Sequence, residues 1–228
     1  MSLWRRAAAR IWRFGLRLRF VLFQRYRHDA AVVETLGGLT IQVLPGVFNP
    51  ALFRVTPVFL EWLDEDLVPP SAAVLDVGTG TGVLAIAAAR TAARVTGVDR
   101  NPAAIECARI NARRNGVADR VDLRPGDLFE PVDGERFDLV LCNPPYLEGD
   151  PEGDLEHALL AGDFPDRFAR DLPDHLADGG RSLVILSDLG EQQRFLDAFA
   201  RAGLEAEAIR QRDLISEVVT LFAVYSPS

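Results

Sequence analysis

The stretch AAVLDVGTGTG, at residues 72–82, decides the fold of this chain. Its first six residues are apolar except for Asp76 and predict a buried strand, and the three glycines that follow predict a tight turn. A helix is expected at residues 83–91, with its first amide groups facing any bound ligand. Strand, glycine turn and helix together predict a parallel α/β sheet, whose ligands bind at the carboxyl ends of the strands.

The same alternation of strand and helix continues along the chain. Strands are expected at residues 94–99, 120–127, 137–143, 179–187, 204–210 and 217–225, and helices at 102–115, 164–177 and 191–201. Upstream, the pattern predicts two short strands at 31–35 and 39–44. It also predicts a first helix, with Thr56 as N-cap and Pro57 at its first position, that runs to about Asp66.

The composition argues against several classes of protein. All 25 basic residues are arginine, so the lysine that a P-loop requires is missing. Cys107, Cys142 and the scattered histidines form no zinc pattern, so neither a structural metal nor a disulfide is expected. No apolar run reaches the ~18 residues of a membrane span. A cytoplasmic protein is expected.

Charge is distributed unevenly along the chain. Residues 1–27 contain eight arginines and no acid, a charge of +8, so a total of −8 leaves −16 on the remainder. An acidic body argues against broad electrostatic binding to nucleic acid. The basic arm is expected to form an amphipathic helix. Packing on the domain, contact with a membrane surface, and contact with RNA or the ribosome remain open as its role.

Three carboxylates follow or end the first strands of the sheet. Asp76 precedes the first glycine, where it would oppose a pyrophosphate but suit a ligand with an ammonium group. Asp99 ends the second strand and could accept both hydroxyls of a ribose, or cap the next helix. Asp127 follows the third strand and could meet an adenine amino group, or be a simple turn residue. Ammonium, ribose and adenine are all parts of S-adenosylmethionine.

With these features the chain resembles class I S-adenosylmethionine-dependent methyltransferases over roughly residues 44–225. The resemblance implies a Rossmann-like α/β fold, with a seven-stranded, mostly parallel sheet and a reversed last strand. S-adenosyl-L-methionine is the implied cofactor. The implied cofactor-binding residues are Thr56, Asp76, Gly78, Thr79, Gly80, Gly82, Asp99, Arg100, Asp127, Leu128 and Asn143. The implied division is a basic helical arm at 1–28, a hairpin and first helix at 29–70, and a cofactor-binding catalytic domain at 71–228.

The sequence NPPY, at residues 143–146, ends the strand expected at 137–143. In the family this motif marks enzymes that methylate a nitrogen conjugated to a π-system. By resemblance, the Asn143 side-chain oxygen and the Pro144 carbonyl would accept both hydrogens of a planar amino group. Tyr146 would pack on its plane, and Pro145 would help to hold the acceptors fixed. Such acceptors stabilise the positive charge that develops during attack, so no titrating base is required.

Two segments resemble different branches of the superfamily. Residues 155–180 are similar to the segment after NPPY in HemK-type protein glutamine methyltransferases, which act on release factors. Glu156, Ala158, Leu159 and Gly162 keep that pattern, whereas His157 and Asp163 depart from it.

Residues 44–55, here called the approach segment, are instead similar to small-domain ribosomal RNA guanine methyltransferases. Thr56 matches a HemK-type residue whose acidic neighbour is missing here.

The acidic body and the HemK-like residues 155–180 favour a protein glutamine, on a release factor, as the methyl acceptor. The alternatives are an exocyclic amine of RNA, a small molecule, or a non-catalytic cofactor-binding scaffold at a membrane or ribosome.

Overall fold

The computed structural model describes residues 30–145, 158, 160–215 and 217–227. The basic arm at 1–28, Tyr146 and the HemK-like positions 156, 157 and 159 lie outside the described residues. The expectations made for them remain predictions.

The described chain begins with an antiparallel hairpin and then alternates strands with helices. The hairpin consists of β1 (Val32–Leu36) and β2 (Leu39–Val43), and is followed by α1 (Val55–Trp62). The remaining elements are β3 (Ala73–Val77), α2 (Val83–Ala88), β4 (Arg94–Asp99), α3 (Pro102–Arg114), β5 (Val121–Pro125), β6 (Phe137–Cys142), α4 (Phe164–His175), β7 (Leu176–Ser187), α5 (Gln192–Arg201), β8 (Glu205–Asp213) and β9 (Val218–Tyr225). Every strand and helix expected from the sequence between residues 31 and 225 is therefore present.

The main sheet has seven strands in the order β5-β4-β3-β6-β7-β9-β8. Strands β5, β4, β3, β6 and β7 are parallel to one another, whereas β9 lies antiparallel between β7 and β8. The last strand is thus the reversed one, which confirms the expected fold class. Because the parallel strands share one carboxyl edge, the loops after β3, β4, β5 and β6 meet there.

Side chains alternate between the two faces of this sheet and build a core on each. On β6, Leu139 and Leu141 join the core that the hairpin, α1, α2 and α3 cover. Val140 and Cys142, on the opposite face, join the core that α4 and α5 cover. The period of two along a strand produces this division. No helix in the described ranges has both the length and the apolarity to cross a membrane.

Helix α1 begins earlier and ends earlier than the sequence indicates. Its N-cap is Arg54, which makes no side-chain cap bond, so the prediction of Thr56 as N-cap is wrong. The helix ends at Trp62 because a tight turn follows, in which Asp64 Oδ1 accepts a hydrogen bond from the Leu67 amide at 3.1 Å. An aspartate that bonds nearby backbone in this way competes with helix continuation. Thr56 becomes the second helical residue, and it is buried.

Candidate active site

A cleft at the carboxyl edge of the parallel strands brings most of the predicted site residues together. It encloses about 1260 Å³ of empty space, including part of its open mouth. The predicted residues that line it are Thr56, Gly78, Thr79, Gly80, Asp99, Arg100, Asp127, Leu128, Asn143, Pro144 and Pro145. Asp76 and Gly82 are not among its lining residues.

The three glycines after β3 divide into two roles. All have positive φ, at 70° for Gly78, 56° for Gly80 and 81° for Gly82. A Cβ on Gly78 would meet no atom within 4 Å, and one on Gly80 would meet only a backbone oxygen at 3.9 Å, so both leave space for a ligand. A Cβ on Gly82 would lie 2.8 Å from the Ala108 Cβ of α3. Gly82 therefore allows α2 to pack on α3, and its role in cofactor binding stays a prediction.

Asp76 lies behind the glycine turn rather than on the cleft wall. Its Oδ2 accepts hydrogen bonds from Thr79 Oγ1 at 2.7 Å and from the Ala85 amide of α2 at 3.1 Å. Its Oδ1 is buried and has no hydrogen-bond partner within the described part of the chain. Desolvation raises the pKa of this carboxyl to about 7. Asp76 thus supports the turn and α2, and its expected role as the partner of an ammonium group stays a prediction.

Asp99 joins the end of β4 to the glycine turn. Its Oδ2 accepts from the Gly80 amide at 2.8 Å and its Oδ1 accepts from the Asn101 amide at 2.9 Å. The cap of α3 is Asn101, whose Oδ1 accepts from the Ala103 amide at 2.9 Å. Asp99 is therefore not the side-chain cap of α3, which the sequence left open. It holds the turn and presents its carboxylate at the cleft.

The loop after β5 supplies a charged and a strained residue to the cleft. Asp127 Oδ2 accepts a hydrogen bond from Arg167 Nη2 at 2.8 Å, and this bond is the main reason that the pKa of Arg167 is raised. Leu128 is buried and has a φ of 51°, in the left-handed region that disfavours side chains other than glycine. Backbone strain of this kind is concentrated at functional sites.

Asn143 presents an unusual buried acceptor at the other side of the cleft. Its Nδ2 donates a hydrogen bond to Thr56 Oγ1 at 3.0 Å. Its Oδ1 is buried, with no hydrogen-bond partner within the described ranges. Pro144 and Pro145 follow at once, are buried, and fix the backbone where β6 ends. Tyr146, the remaining residue of the motif, lies outside the described residues.

Sequence reasoning did not identify several residues of the cleft wall. The approach segment contributes Gly46, Val47 and Phe48, and Asn101 donates from Nδ2 to the Gly46 carbonyl at 3.0 Å. Arg167 of α4 reaches the cleft as well. For Gly46, Val47 and Phe48, the available signal was the likeness of the approach segment to the corresponding segment of other methyltransferases. No local pattern marked Arg167.

No group of three or more His, Cys, Asp or Glu side chains within the described ranges is arranged to hold a metal ion. Burial raises the pKa of the Cys142 thiol well above its usual range, and Cys142 packs in the core beneath the motif. Neither cysteine is paired in a disulfide.

Comparison with known proteins identifies relatives over most of the chain. A family model described as "Methyltransferase small domain" matches residues 38–208. The release factor glutamine methyltransferase of Geobacter sulfurreducens is 38% identical over 186 residues, which cover 73% of this chain and 62% of that protein. The ribosomal protein L11 methyltransferase of Symbiobacterium thermophilum is 42% identical over 179 residues, covering 78% of this chain and 52% of that protein. The chain thus spans less than two thirds of the length of either relative.

A shorter relative and two solved structures match more completely. A chain of Methanocaldococcus jannaschii, provisionally named a protein N5-glutamine methyltransferase, is 31% identical over 77% of this chain and 90% of its own length. A methyltransferase structure from Pyrococcus furiosus aligns with a TM-score of 0.62 and 19% identity, covering 97% of this chain and 98% of that one. The T. Thermophilus 16S rRNA N2 G1207 methyltransferase, in complex with AdoMet and guanosine, aligns with a TM-score of 0.62 and 24% identity, over 85% and 50%.

At these identities the two solved structures support the fold alone. The family model covers more than half of the chain, and the compact relative is matched over nearly all of its length. The resemblance read from the glycine turn and the NPPY motif is thereby confirmed. The chain belongs to the methyltransferase small domain family, as a class I methyltransferase of the HemK type.

Proposed function

We propose that this protein transfers a methyl group from S-adenosylmethionine to the side-chain amide of a glutamine in a protein of the release-factor type. The observation that carries the proposal is the Asn143 Oδ1 atom, a buried acceptor without a partner in the described chain, on a residue that lines the cleft. A buried acceptor without a donor costs free energy, about 1–3 kcal/mol in mutational data. The N–H of an incoming amide would satisfy it.

The residues of the cleft fit S-adenosylmethionine. The space at Gly78 and Gly80 allows the backbone to approach a ligand closely. Asp99 would accept from the ribose hydroxyls, because it lines the cleft and an ionised carboxylate is a hydrogen-bond acceptor at both of its oxygens. Asp127 and Leu128 would hold the adenine end. When bound, the cofactor supplies a methyl group on a positively charged sulfur.

Asn143 and Pro144 would make the amide nitrogen a nucleophile. A carboxamide holds its lone pair in conjugation, and two acceptors on its hydrogens disfavour that conjugation. They also stabilise the positive charge that develops on nitrogen as the N–C bond forms and the S–C bond breaks. The proton is then lost to solvent. A base at Cys142 is not available, because burial raises the pKa of this thiol well above its usual range.

The names of the relatives favour a protein acceptor over RNA. The Geobacter sulfurreducens relative acts on release factors, and a Bradyrhizobium diazoefficiens relative, 37% identical over 139 residues, is named for a glutamine of ribosomal protein uL3. The likeness to the RNA enzyme of T. Thermophilus is limited to the fold. The acidic body also argues against broad contact with nucleic acid.

A second protein acceptor has a specific observation in its favour, because the ribosomal protein L11 methyltransferase of Symbiobacterium thermophilum reaches 42% identity. The pair of hydrogen-bond acceptors proposed at Asn143 and Pro144 supports glutamine over an alkyl amine. A pair of fixed acceptors suits a planar amide with two N–H groups better than a flexible alkyl amine. Glutamine is therefore the preferred target.

The test is methyl transfer by the full-length chain from radiolabelled S-adenosylmethionine. Purified release factor, ribosomal proteins and total RNA from a matched source would be offered separately, with Asn143→Ala as the inactive control. We expect label in the release factor, sensitive to protease, and mass spectrometry should locate it on a glutamine. Label in RNA only, or on a lysine or an amino terminus, would overturn the assignment of the acceptor.

A further inference from the structure

We infer that Thr56 is a positioning residue for the methyl acceptor, because its hydroxyl oxygen fixes the plane of the Asn143 amide. This inference rests on the proposed function of the cleft and extends it to a residue outside the NPPY motif. The resemblance assigned Thr56 to the cofactor. The geometry gives it a different task, on the acceptor side.

The two side chains meet across a long separation in sequence. Thr56 is the second residue of α1, whereas Asn143 directly follows β6, 87 positions later. Asn143 Nδ2 donates to Thr56 Oγ1 at 3.0 Å, and both residues line the cleft. The last torsion of an asparagine is broad and prefers no single plane. A partner is therefore needed to hold the amide, and Thr56 is the partner that the structure provides.

Helix α1 is itself fixed, so Thr56 can act as an anchor. Val55 and Phe59 are buried in the core between α1 and the sheet. Arg54, the N-cap, donates from Nη1 to the Leu214 carbonyl in the β8–β9 turn at 3.0 Å. These contacts hold the start of the helix to the sheet edge. A catalytic group supported by a rigid element keeps its geometry with little reorganisation.

The Thr56 contact also makes Asn143 a better acceptor. An amide that donates through its nitrogen becomes more negative at its oxygen, and cooperative strengthening is estimated at roughly 10–30% per bond. The hydroxyl of Thr56 could serve either orientation of the amide, since it can accept or donate. The Thr56 hydroxyl therefore fixes the plane of the Asn143 amide. The N–H groups of the glutamine substrate then select the orientation in which Oδ1 faces the cleft.

Two substitutions separate this role from packing. Thr56→Val keeps the shape of the side chain and removes the hydroxyl, whereas Thr56→Ser keeps the hydroxyl and removes a methyl group. We expect Thr56→Val to lower kcat by about tenfold to a hundredfold, as small misplacements of reacting groups do, with the KM for S-adenosylmethionine unchanged. Thr56→Ser should restore kcat to within about threefold of wild type. Unchanged kcat in Thr56→Val, or a serine variant as slow as the valine variant, would overturn the inference.

A spectroscopic readout makes the test independent of the acceptor. The side-chain NH₂ signals of Asn143 can be assigned in an amide NMR spectrum from their loss in Asn143→Ala. They should shift in Thr56→Val and remain near their wild-type position in Thr56→Ser. If methyl transfer reaches RNA instead of glutamine, the proposed function fails but this shift still decides the role of Thr56. Signals that do not move in Thr56→Val would show that the contact does not hold the amide.

Binding of S-adenosylmethionine by calorimetry completes the experiment. Wild type, Thr56→Val and Thr56→Ser should bind the cofactor with equal affinity, which would also show that the variants are folded. A loss of cofactor affinity in Thr56→Val with kcat unchanged would return Thr56 to the cofactor site and overturn the positioning role. Should Thr56→Val not fold, Thr56→Ala replaces it and is judged against Thr56→Ser by the same criteria.

Discussion

The guanidinium of Arg167 donates from Nη2 to Asp127 Oδ2 at 2.8 Å, across 40 positions of sequence. This ion pair joins α4 to the loop after β5, and both residues line the cleft. The chain reaches α4 only after the Asn-Pro-Pro motif. The pair therefore connects the segment beyond the acceptor motif with the residues proposed to hold adenine.

Replacing Arg167 tests whether this pair orders the adenine end. We expect Arg167→Met to weaken binding of S-adenosylmethionine about three- to tenfold, because Asp127 loses the group that fixes its orientation. Calorimetry measures the change. Arg170→Met is the matched control, since Arg170 lies on the same helix and pairs with its neighbour Asp171 at 2.7 Å, outside the cleft. Equal affinities in the two variants would show that the ion pair is not part of the cofactor site.

Removing the Asn143 amide should affect turnover far more than cofactor binding. We expect Asn143→Ala to lower kcat by about two to three orders of magnitude, the usual result of deleting one preorganised polar contact. Cofactor affinity should change little, because the residues proposed to hold the cofactor come mainly from the ends of β3, β4 and β5. A kcat near that of wild type would show that this side chain does not contact the reacting group.

Asp99 should contribute to cofactor affinity instead. We expect Asp99→Ala to weaken binding of S-adenosylmethionine at least tenfold by calorimetry, because the ribose loses an acceptor and the Gly80 amide loses its partner. Asp122→Ala, an exposed carboxylate on β5 that pairs with Arg124, is the control and should bind normally. An affinity that matches the control would remove Asp99 from the ribose role.

The sequence was sufficient for the sheet and for most of the cleft, because both depend on local patterns. The alternation of apolar strands with helices predicted the seven-stranded sheet, and short motifs at strand ends predicted Asp99 and Asn143. Arg167 could not be found in this way, since its partner Asp127 is distant in sequence and a single arginine on a helix carries no pattern.

The contacts of Asp76 with the start of α2 have a simple geometric cause. Side chains on a strand alternate between faces, and on β3 Val74 belongs to the core beneath α2 and α3, whereas Leu75 and Val77 belong to the opposite core. Asp76 shares the face of Val74 and therefore points towards the start of α2. The position of Asp76 just before the glycine turn suggested a ligand contact. The alternation of side chains along β3 directs Asp76 to the face that α2 covers.

Buried Asp76 should make the stability of the cofactor-free protein depend on pH. Its pKa is about 7 in the folded protein, raised from 3.8 by desolvation, so between these values the unfolded chain is ionised while the folded protein keeps the proton. Folding then takes up a proton, so the contribution of Asp76 to the free energy of unfolding falls as the pH rises from about 4 to 7. The loss should be complete above pH 7.

Asp76→Asn, which cannot ionise, isolates this contribution. Its amide oxygen can still accept from Thr79 and from the Ala85 amide. We expect the free energy of unfolding of wild type, minus that of the variant, to fall between about pH 4 and pH 7 and then to level off. Urea unfolding at a series of pH values provides the measurement. A difference that is constant over this range would show that Asp76 is ionised in the folded protein.

Ile215, in the turn between β8 and β9, combines two unfavourable properties. It is 99% exposed, and its φ is 72°, in the left-handed region. The Asp213 side chain accepts from the Ile215 amide at 2.7 Å, and Leu214 beside it is buried, so the surroundings hold the residue in this conformation. A side chain with a Cβ costs roughly 1–2 kcal/mol there. A branched residue that packs on nothing has no contact energy to offset that cost.

Ile215→Gly should therefore stabilise the protein, by about 0.5–1 kcal/mol after the greater flexibility of glycine in the unfolded chain is subtracted. Urea unfolding of the full chain measures the change. Val33→Gly is the matched control, because Val33 is an exposed β-branched residue on β1 without a positive φ. Glycine at that position should destabilise the protein by roughly 0.5–1 kcal/mol. A loss of stability at both positions would show that the Ile215 backbone stores no strain, because only relief of strain reverses the sign.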